Sequence, residues 1–197
     1  MNAFVTVGVT FLVELGLSGT ETGLVFLIVL LSSIPGSLFC IWFTRRVSSP
    51  VISIKVATLA FITVNFFAFL NLANPKNKDL VWMFGSLWGF MLGWYYPSEV
   101  NIYSNLMPKG QEAEFAGFAL FCSQILGWLP PLVFTLMNEN PKIGISWGGV
   151  HLNIYFFVGV CFYALLPNWQ ECVQITESEN MMVQKRGDNE EGSSLVE

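Results

Sequence analysis

Charge is scarce in this chain of 197 residues: Asp, Glu, Lys and Arg make up 12% of it, against about 25% in soluble domains. Its 9 Lys and Arg form no basic stripe, which argues against nucleic-acid binding. Histidine is represented only by His151, so a multi-histidine metal site is excluded. Four cysteines, Cys40, Cys122, Cys161 and Cys172, share no CxxC or ligand spacing and read as small buried hydrophobes in or beside apolar segments. HExxH, a glycine-rich phosphate loop and GxSxG are all missing, so no enzyme and no cofactor is expected. Met1 to Val13 carries no basic leader and no cleavage-like site follows it, so no secretory signal peptide is expected.

What the chain has in quantity is apolar sequence. Hydrophobic residues are 53% of the total and the mean hydropathy is +0.56. Charges cluster in short gaps and in the tail after Gln170, and the formal net charge of -5 owes much to that tail. A helix crossing about 30 Å of hydrocarbon needs about 20 apolar residues, and the sequence offers such stretches repeatedly. The reading is an all-α integral membrane protein: residues 1–167 form a six-helix transmembrane bundle and residues 168–197 a polar, disordered, cytoplasmic tail.

The six segments run Ala3–Leu17, Thr22–Phe43, Ser49–Leu72, Leu80–Asn105, Gln111–Met137 and Ile145–Leu166. The first is short and begins almost at Met1, which suggests that residues completing it precede the chain. Ser18-Gly19-Thr20-Glu21 reads as a turn with a capping residue. Pro35 beside Gly36 predicts a kink, and Arg45-Arg46 end the second segment. Gly85, Gly89 and Gly93 recur every fourth position, a smooth stripe that permits close approach of a neighbouring helix. Gly127-Trp128-Leu129-Pro130-Pro131 predicts an internal break in segment five, either of the kind found around transporter binding sites or a simple packing kink. If connections alternate sides, one side receives Arg45, Arg46, Lys109, Lys185 and Arg186, the other Lys76, Lys78 and Lys142. The positive-inside rule puts the first set and the tail in the cytoplasm.

Polar residues inside apolar segments are the candidates for chemistry, because an ionised side chain at mid-membrane costs at least about 2.5 kcal/mol and needs a partner or a wet cavity. Glu99, after Pro97, leads; the alternatives are a place near the membrane edge or a simple pairing with a neighbour. Asn101 and Asn105 extend its polar run, Gln124 within segment five either contacts a ligand or glues helices together, and Tyr95 and Tyr96 either line a cavity or pack. Asn65 either contacts a ligand or glues helices together. Glu14 stands near the first turn and is weaker. Arg45 and Arg46 either snorkel or meet acidic residues of a facing loop. Lys109, Glu112 and Glu114 lie in a connection rich in turn and charge signals, where Glu112 and Glu114 favour the start of a helix.

Gly93-Trp94-Tyr95-Tyr96-Pro97, followed by Leu106-Met107-Pro108-Lys109-Gly110-Gln111-Glu112-Ala113-Glu114-Phe115-Ala116-Gly117-Phe118, resembles the autophagy-related vacuolar effluxer family of the major facilitator superfamily. The resemblance is sharpest over Gly85 to Pro131 and extends more weakly over most of Met1 to Pro167. It implies a transporter of about twelve helices in two halves, this chain looking like the second half and beginning inside the seventh helix. Export of amino acids from the vacuole is the activity it implies. Arg45-Arg46 would then end the eighth helix, and Pro108 to Glu114 would precede the eleventh. Two departures stand out. Relatives often carry Ser-Arg-Ser where this chain has Pro97-Ser98-Glu99, and many have Gly-Pro at Pro130-Pro131.

Two accounts follow. In one, the chain is the six-helix half of a major-facilitator-type secondary transporter for a small polar solute such as an amino acid. Glu99, Asn101, Gln124 and Tyr95 contact the solute, Arg45, Arg46, Lys109, Glu112 and Glu114 form a gate, and the partner is an N-terminal half or a second copy. In the other, it is a non-transporting six-helix membrane protein acting as an assembly partner, associating through the glycine stripe.

Overall fold

The computed structural model describes residues 2–47, 49–72, 77–108, 110–125, 127–138, 145–165, 169–178 and 180–181. Among the described residues the helices of the bundle follow in order: α1 (Asn2–Glu14), α2 (Gly19–Val47), α3 (Pro50–Leu72), α4 (Leu80–Leu106), α5 (Glu112–Ile125), α6 (Leu129–Asn138) and α7 (Ile145–Leu165). No strand occurs among the described residues. Residues 169–178 are also helical, where the sequence leads one to expect the start of a disordered tail.

The turn between α1 and α2 shows how local chemistry sets the boundaries. Gly16 adopts φ 78°, a left-handed conformation that a side chain would resist. Leu17 N–H donates to Leu12 O at 3.3 Å and Gly16 N–H to Val13 O at 2.9 Å, the two bonds of a Schellman motif. Ser18 then opens α2 with a reciprocal capping box. Its N–H and hydroxyl donate to the Glu21 carboxylate at 2.7 and 2.9 Å, and Glu21 N–H donates to Ser18 Oγ at 3.3 Å. Glu14, exposed at the last residue of α1, belongs to this turn.

The glycine stripe finds its partner inside the chain. A Cβ at Gly85 would touch Val25, and at Gly89 and Gly93 it would stand 2.8 and 2.7 Å from the carbonyl carbons of Val29 and Ser33. Gly36 returns the fit, a Cβ there standing 2.9 Å from the carbonyl carbon of Phe90. Along Val25–Gly85, Val29–Gly89 and Ser33–Gly93 both numbers rise together, so α2 and α4 run parallel, backbone against backbone, as small residues permit. The stripe is therefore not open for self-association, which corrects that expectation. α2 also continues as a helix through Pro35, and α4 through Pro97.

Antiparallel α3 lies between its sequence neighbours and α7. It meets α4 through Phe69 and Trp88, with centroids 6.4 Å apart, and α7 through Phe61 and Phe156 at 5.1 Å. Phe11 of α1 meets Phe69 edge-on at 4.5 Å. Phe11, Phe61, Phe69, Trp88 and Phe134 share one buried cluster, in which interlocking rings supply most of the packing area.

Outside this core, α2 turns apolar side chains outward: Leu30 is 66% exposed, Ile34 58% and Leu38 63%. An apolar helix face left in the open is unfavourable in water and at home in hydrocarbon. Among the described residues, α2 and α3 are the helices long and apolar enough to cross a membrane. The remaining expected spans are marked less clearly by length and composition. α1 has 13 residues, α4 has 27 but carries Ser, Asn, Tyr and Glu, and segment five is divided into α5 and α6 of 14 and 10 residues. The division falls at the predicted break. Pro130 and Pro131 occupy the first turn of α6, where missing N–H groups are harmless, and Gly127 N–H takes the Gln124 carbonyl at 3.1 Å.

Candidate functional site

α4 presents different chemistry on opposite faces, because residues four apart on a helix stack nearly above one another and residues two apart point about 200° apart. Tyr95, Glu99 and Tyr103 form one such row. Glu99 is half-buried and lines a cleft of about 290 Å³ with Val100, Tyr103, Ser104 and Met107. The Tyr95 hydroxyl stands 3.4 Å from that of Tyr163 on α7, and the Glu99 carboxyl is near enough for its charge to act on both phenols. Tyr103 donates to the Phe115 carbonyl at 3.1 Å, linking the same row to α5. The arrangement offers an acid, the one phenolic O–H that the Tyr95–Tyr163 pair does not use on itself, and an open cleft, a set able to hydrogen-bond a small polar solute or hold a proton.

Asn101 lies around the helix from Glu99. Its carbonyl and side-chain oxygens accept from Asn105 Nδ2 at 2.6 and 2.9 Å, so these two residues pair with each other. Gln124 is exposed on α5. Tyr96, about 60° around α4 from Glu99, is also in the wall of an apolar groove shared with α2. Of the expected solute contacts, the structure brings Tyr95 and Glu99 together and sets Asn101 and Gln124 apart from them.

The expected gate residues stand at one end of the bundle, since parallel α2 and α4 carry Arg45-Arg46 and the α4–α5 connection to the same end. Each described member has its own local setting. Arg46 lies over the Trp42 ring at 5.8 Å, a cation–π contact on one helix. Arg45 and Glu114 are exposed. Glu112 folds back so that its carboxylate accepts the Gly110 N–H at 3.0 Å; hydrogen bonds from its own backbone N–H and from Gly110 hold its pKa below the ordinary value. Lys109 lies outside the described residues, as do Lys76, Lys142, Lys185 and Arg186.

Behind Glu99, a polar knot joins α2, α3 and α4. Ser53 Oγ accepts the Trp94 Nε1–H at 3.0 Å and the Thr44 hydroxyl at 3.1 Å. It also lies 3.1 Å from Ser98 Oγ, which stands 3.2 Å from Cys40 Sγ. Ser53 and Ser98 are both 0% exposed. Buried polar groups satisfied in this way fix one arrangement of their helices. Cys40 is thus a network member as well as a buried thiol, while Cys122 and Cys161 are exposed instead of buried as expected. Asn65 donates to Asn153 Oδ1 of α7 at 2.8 Å, buried, which favours its reading as helix glue. No group of three or more metal-ligating side chains occurs among the described residues.

Tyr163, Tyr103 and the Ser53–Ser98 knot were not among the sequence candidates. The four-residue spacing of Tyr95, Glu99 and Tyr103 was a usable signal for Tyr103. Nothing in the sequence alone pairs Ser53 with Ser98 or Tyr95 with Tyr163.

Comparison with curated proteins and with solved structures returned no match in either case. Comparison with protein families did: the model described as vacuole effluxer Atg22 like matches residues 1–171. That span takes in every described helix of the bundle, the glycine contact, the Glu99 row and the Glu112 turn, and on it the chain belongs to the vacuole effluxer Atg22-like family.

Proposed function

We propose that this chain is a six-helix half of a major-facilitator-type secondary transporter that moves a small polar solute, an amino acid foremost, out of the vacuole. The observation that carries the reading is Glu99, a half-buried carboxyl one turn beyond Tyr95, whose hydroxyl stands 3.4 Å from that of Tyr163. An acid held in such a place is costly unless it serves a solute, a proton or a partner. Ser98 touches Cys40, so Glu99 sits about one turn, about 6 Å, inside the level of Arg45. A solute there is within reach of one membrane face.

In this reading Glu99 takes the solute ammonium or a coupled proton, and Tyr95 and Tyr163 donate to its polar groups. The Ser53–Ser98 knot holds α2, α3 and α4 as one body, so that motion falls on α5 and α6, which meet at the Gly127 break. Arg45, Arg46, Lys109, Glu112 and Glu114 border the cytoplasmic mouth, and Asn101 and Gln124 join the solute path only after α5 closes toward α4. Residues 1–167 are the membrane bundle and 168–197 a cytoplasmic tail. The alternative of a non-transporting assembly partner loses its main support, because the glycine stripe is filled by α2. Replacing Glu99 by Gln tests the assignment: solute flux falls while the amount of protein in the membrane is unchanged. Unchanged flux removes Glu99 from the solute path.

A further inference from the structure

Among the described residues of α5 none is buried, whereas Trp88 of α4, Phe134 of α6 and Leu152 of α7 all sink into the core. The far end of α5 passes into α6 through the Gly127 turn, whose N–H takes the Gln124 carbonyl. Near its start a side chain ties it to α4: the Tyr103 hydroxyl donates to the Phe115 carbonyl at 3.1 Å. A helix with few buried apolar contacts belongs to the low-stability end of a fold. Bonds such as this one therefore set where α5 rests.

Tyr103 also lines the cleft that holds Glu99 and Ser104, one turn beyond Glu99 on α4. Ser104 spends its hydroxyl proton on the Asn101 carbonyl at 3.2 Å. A phenol has one O–H, so Tyr103 gives its proton either to Phe115 or to a group in the cleft. Side chains four apart on a helix stand about 5–6 Å apart at Cβ. One α-amino acid bridges such a gap, with its ammonium toward Glu99 and its carboxylate toward Tyr103. Hydrogen bonds to an ionised acceptor are roughly twice as strong as neutral ones, so the carboxylate outcompetes the Phe115 carbonyl.

We propose that Tyr103 is a latch that holds α5 while the cleft is empty and releases it when a solute carboxylate enters. Its role rests on the transport reading above, to which it adds a link between occupancy and motion. Freed near Phe115, α5 tilts, and Gln124, about 14 Å further along it, swings toward α4. The link is reciprocal: whatever loosens α5 also frees the Tyr103 proton for the solute.

Two native thiols give the test its reporters. Cys122 of α5 and Cys161 of α7 are exposed and take spin labels, while Cys40 is buried and Cys172 is replaced by Ser. The distance between the labels is read by double electron–electron resonance on the purified protein in liposomes. Measurements are made with and without an equimolar mixture of the proteinogenic amino acids. With Tyr103 present, the mixture raises the population of a second distance about fivefold, the factor that one net hydrogen bond supplies. Tyr103→Phe shows the raised population with no amino acid added, and the mixture changes it no further. A bond that only steadied the fold would leave the response to the mixture in place. A Tyr103 protein indifferent to the mixture, or a Tyr103→Phe protein that keeps the response, overturns the latch. Counterflow of labelled amino acids in the same liposomes separates the two levels. Transport without a distance change removes the latch and keeps the transport reading, and the absence of both removes the two together.

Discussion

Gly93 of α4 and Ser33 of α2 meet backbone to backbone, so that a Cβ at position 93 would stand 2.7 Å from the Ser33 carbonyl carbon. The neighbour is main chain inside a helix, which has no rotamer by which to retreat. Gly93→Ala and Gly89→Ala therefore force the two helices apart and destabilise the bundle by about 1–3 kcal/mol, the usual range for an overpacked interior. Gly117→Ala is the control, since its Cβ would meet nothing within 4 Å; it leaves stability unchanged or raises it by up to about 1 kcal/mol through helix propensity. Unfolding in detergent followed by circular dichroism compares the three. Equal behaviour of Gly93→Ala and Gly117→Ala would falsify the close contact.

Ser53 is the acceptor on which two donors converge, Trp94 Nε1–H and Thr44 Oγ1–H. Ser53→Ala strands a buried indole N–H and lowers stability by about 1–3 kcal/mol. Ser98→Ala costs less, because the indole keeps its acceptor. Reversal of that order in the same unfolding experiment contradicts the hydrogen-bond assignment.

Asn65 and Asn153 share a buried hydrogen bond of 2.8 Å, while Asn65 Oδ1 and Asn153 Nδ2 have no partner among the described residues. A double-mutant cycle with alanine at both positions gives a coupling of about 0.6 kcal/mol, the mean for such bonds in membrane proteins, with about 1.7 as the ceiling. Leucine at both positions removes two underused amides together and is tolerated better than either single alanine. Additive single mutants would show that the two side chains do not interact.

The Glu112 carboxylate closes the turn by accepting the Gly110 N–H, and its pKa is lowered by hydrogen bonds to its own backbone N–H and to Gly110. For a carboxyl with a depressed folded value, the contribution is fully present above the unfolded value of about 4.3 and is lost as pH falls through the lower folded one. Hydrogen exchange at the Gly110 amide, corrected for its intrinsic pH dependence, accordingly loses protection on acidification below about pH 4. In Glu112→Gln that pH step disappears. A step of the same size in both proteins assigns it to another group.

Much of the fold was legible because its signals are local. The Ser18–Glu21 box, the break before Pro130-Pro131 and the boundaries of α3 and α4 depend on residues within a few positions of one another. The glycine stripe announced a close contact through its spacing, but its occupant could not be read, since Val29 and Ser33 are far from Gly89 and Gly93 in sequence. Pro35 lies within a continuous α2, and the tail after Pro167 is helical over residues 169–178. At the candidate site, Glu99 and Tyr95 were visible as polar residues in an apolar run. Asn101 was grouped with them by sequence proximity, whereas helix geometry turns it to another face and gives it Asn105. Tyr163 and Ser53 come from α7 and α3, and only packing brings them in.

The central claim is that this family member carries polar solutes through a path that uses Glu99. The direct measurement is efflux of labelled amino acids from vacuolar vesicles of cells expressing the native protein, its Glu99→Gln form at equal abundance, or neither. The account predicts release that depends on the native protein and drops toward the background of vesicles lacking it when Glu99 is replaced. Release that is the same in all three preparations would contradict transport by this protein, and release equal in the native and Glu99→Gln forms would contradict the route through Glu99.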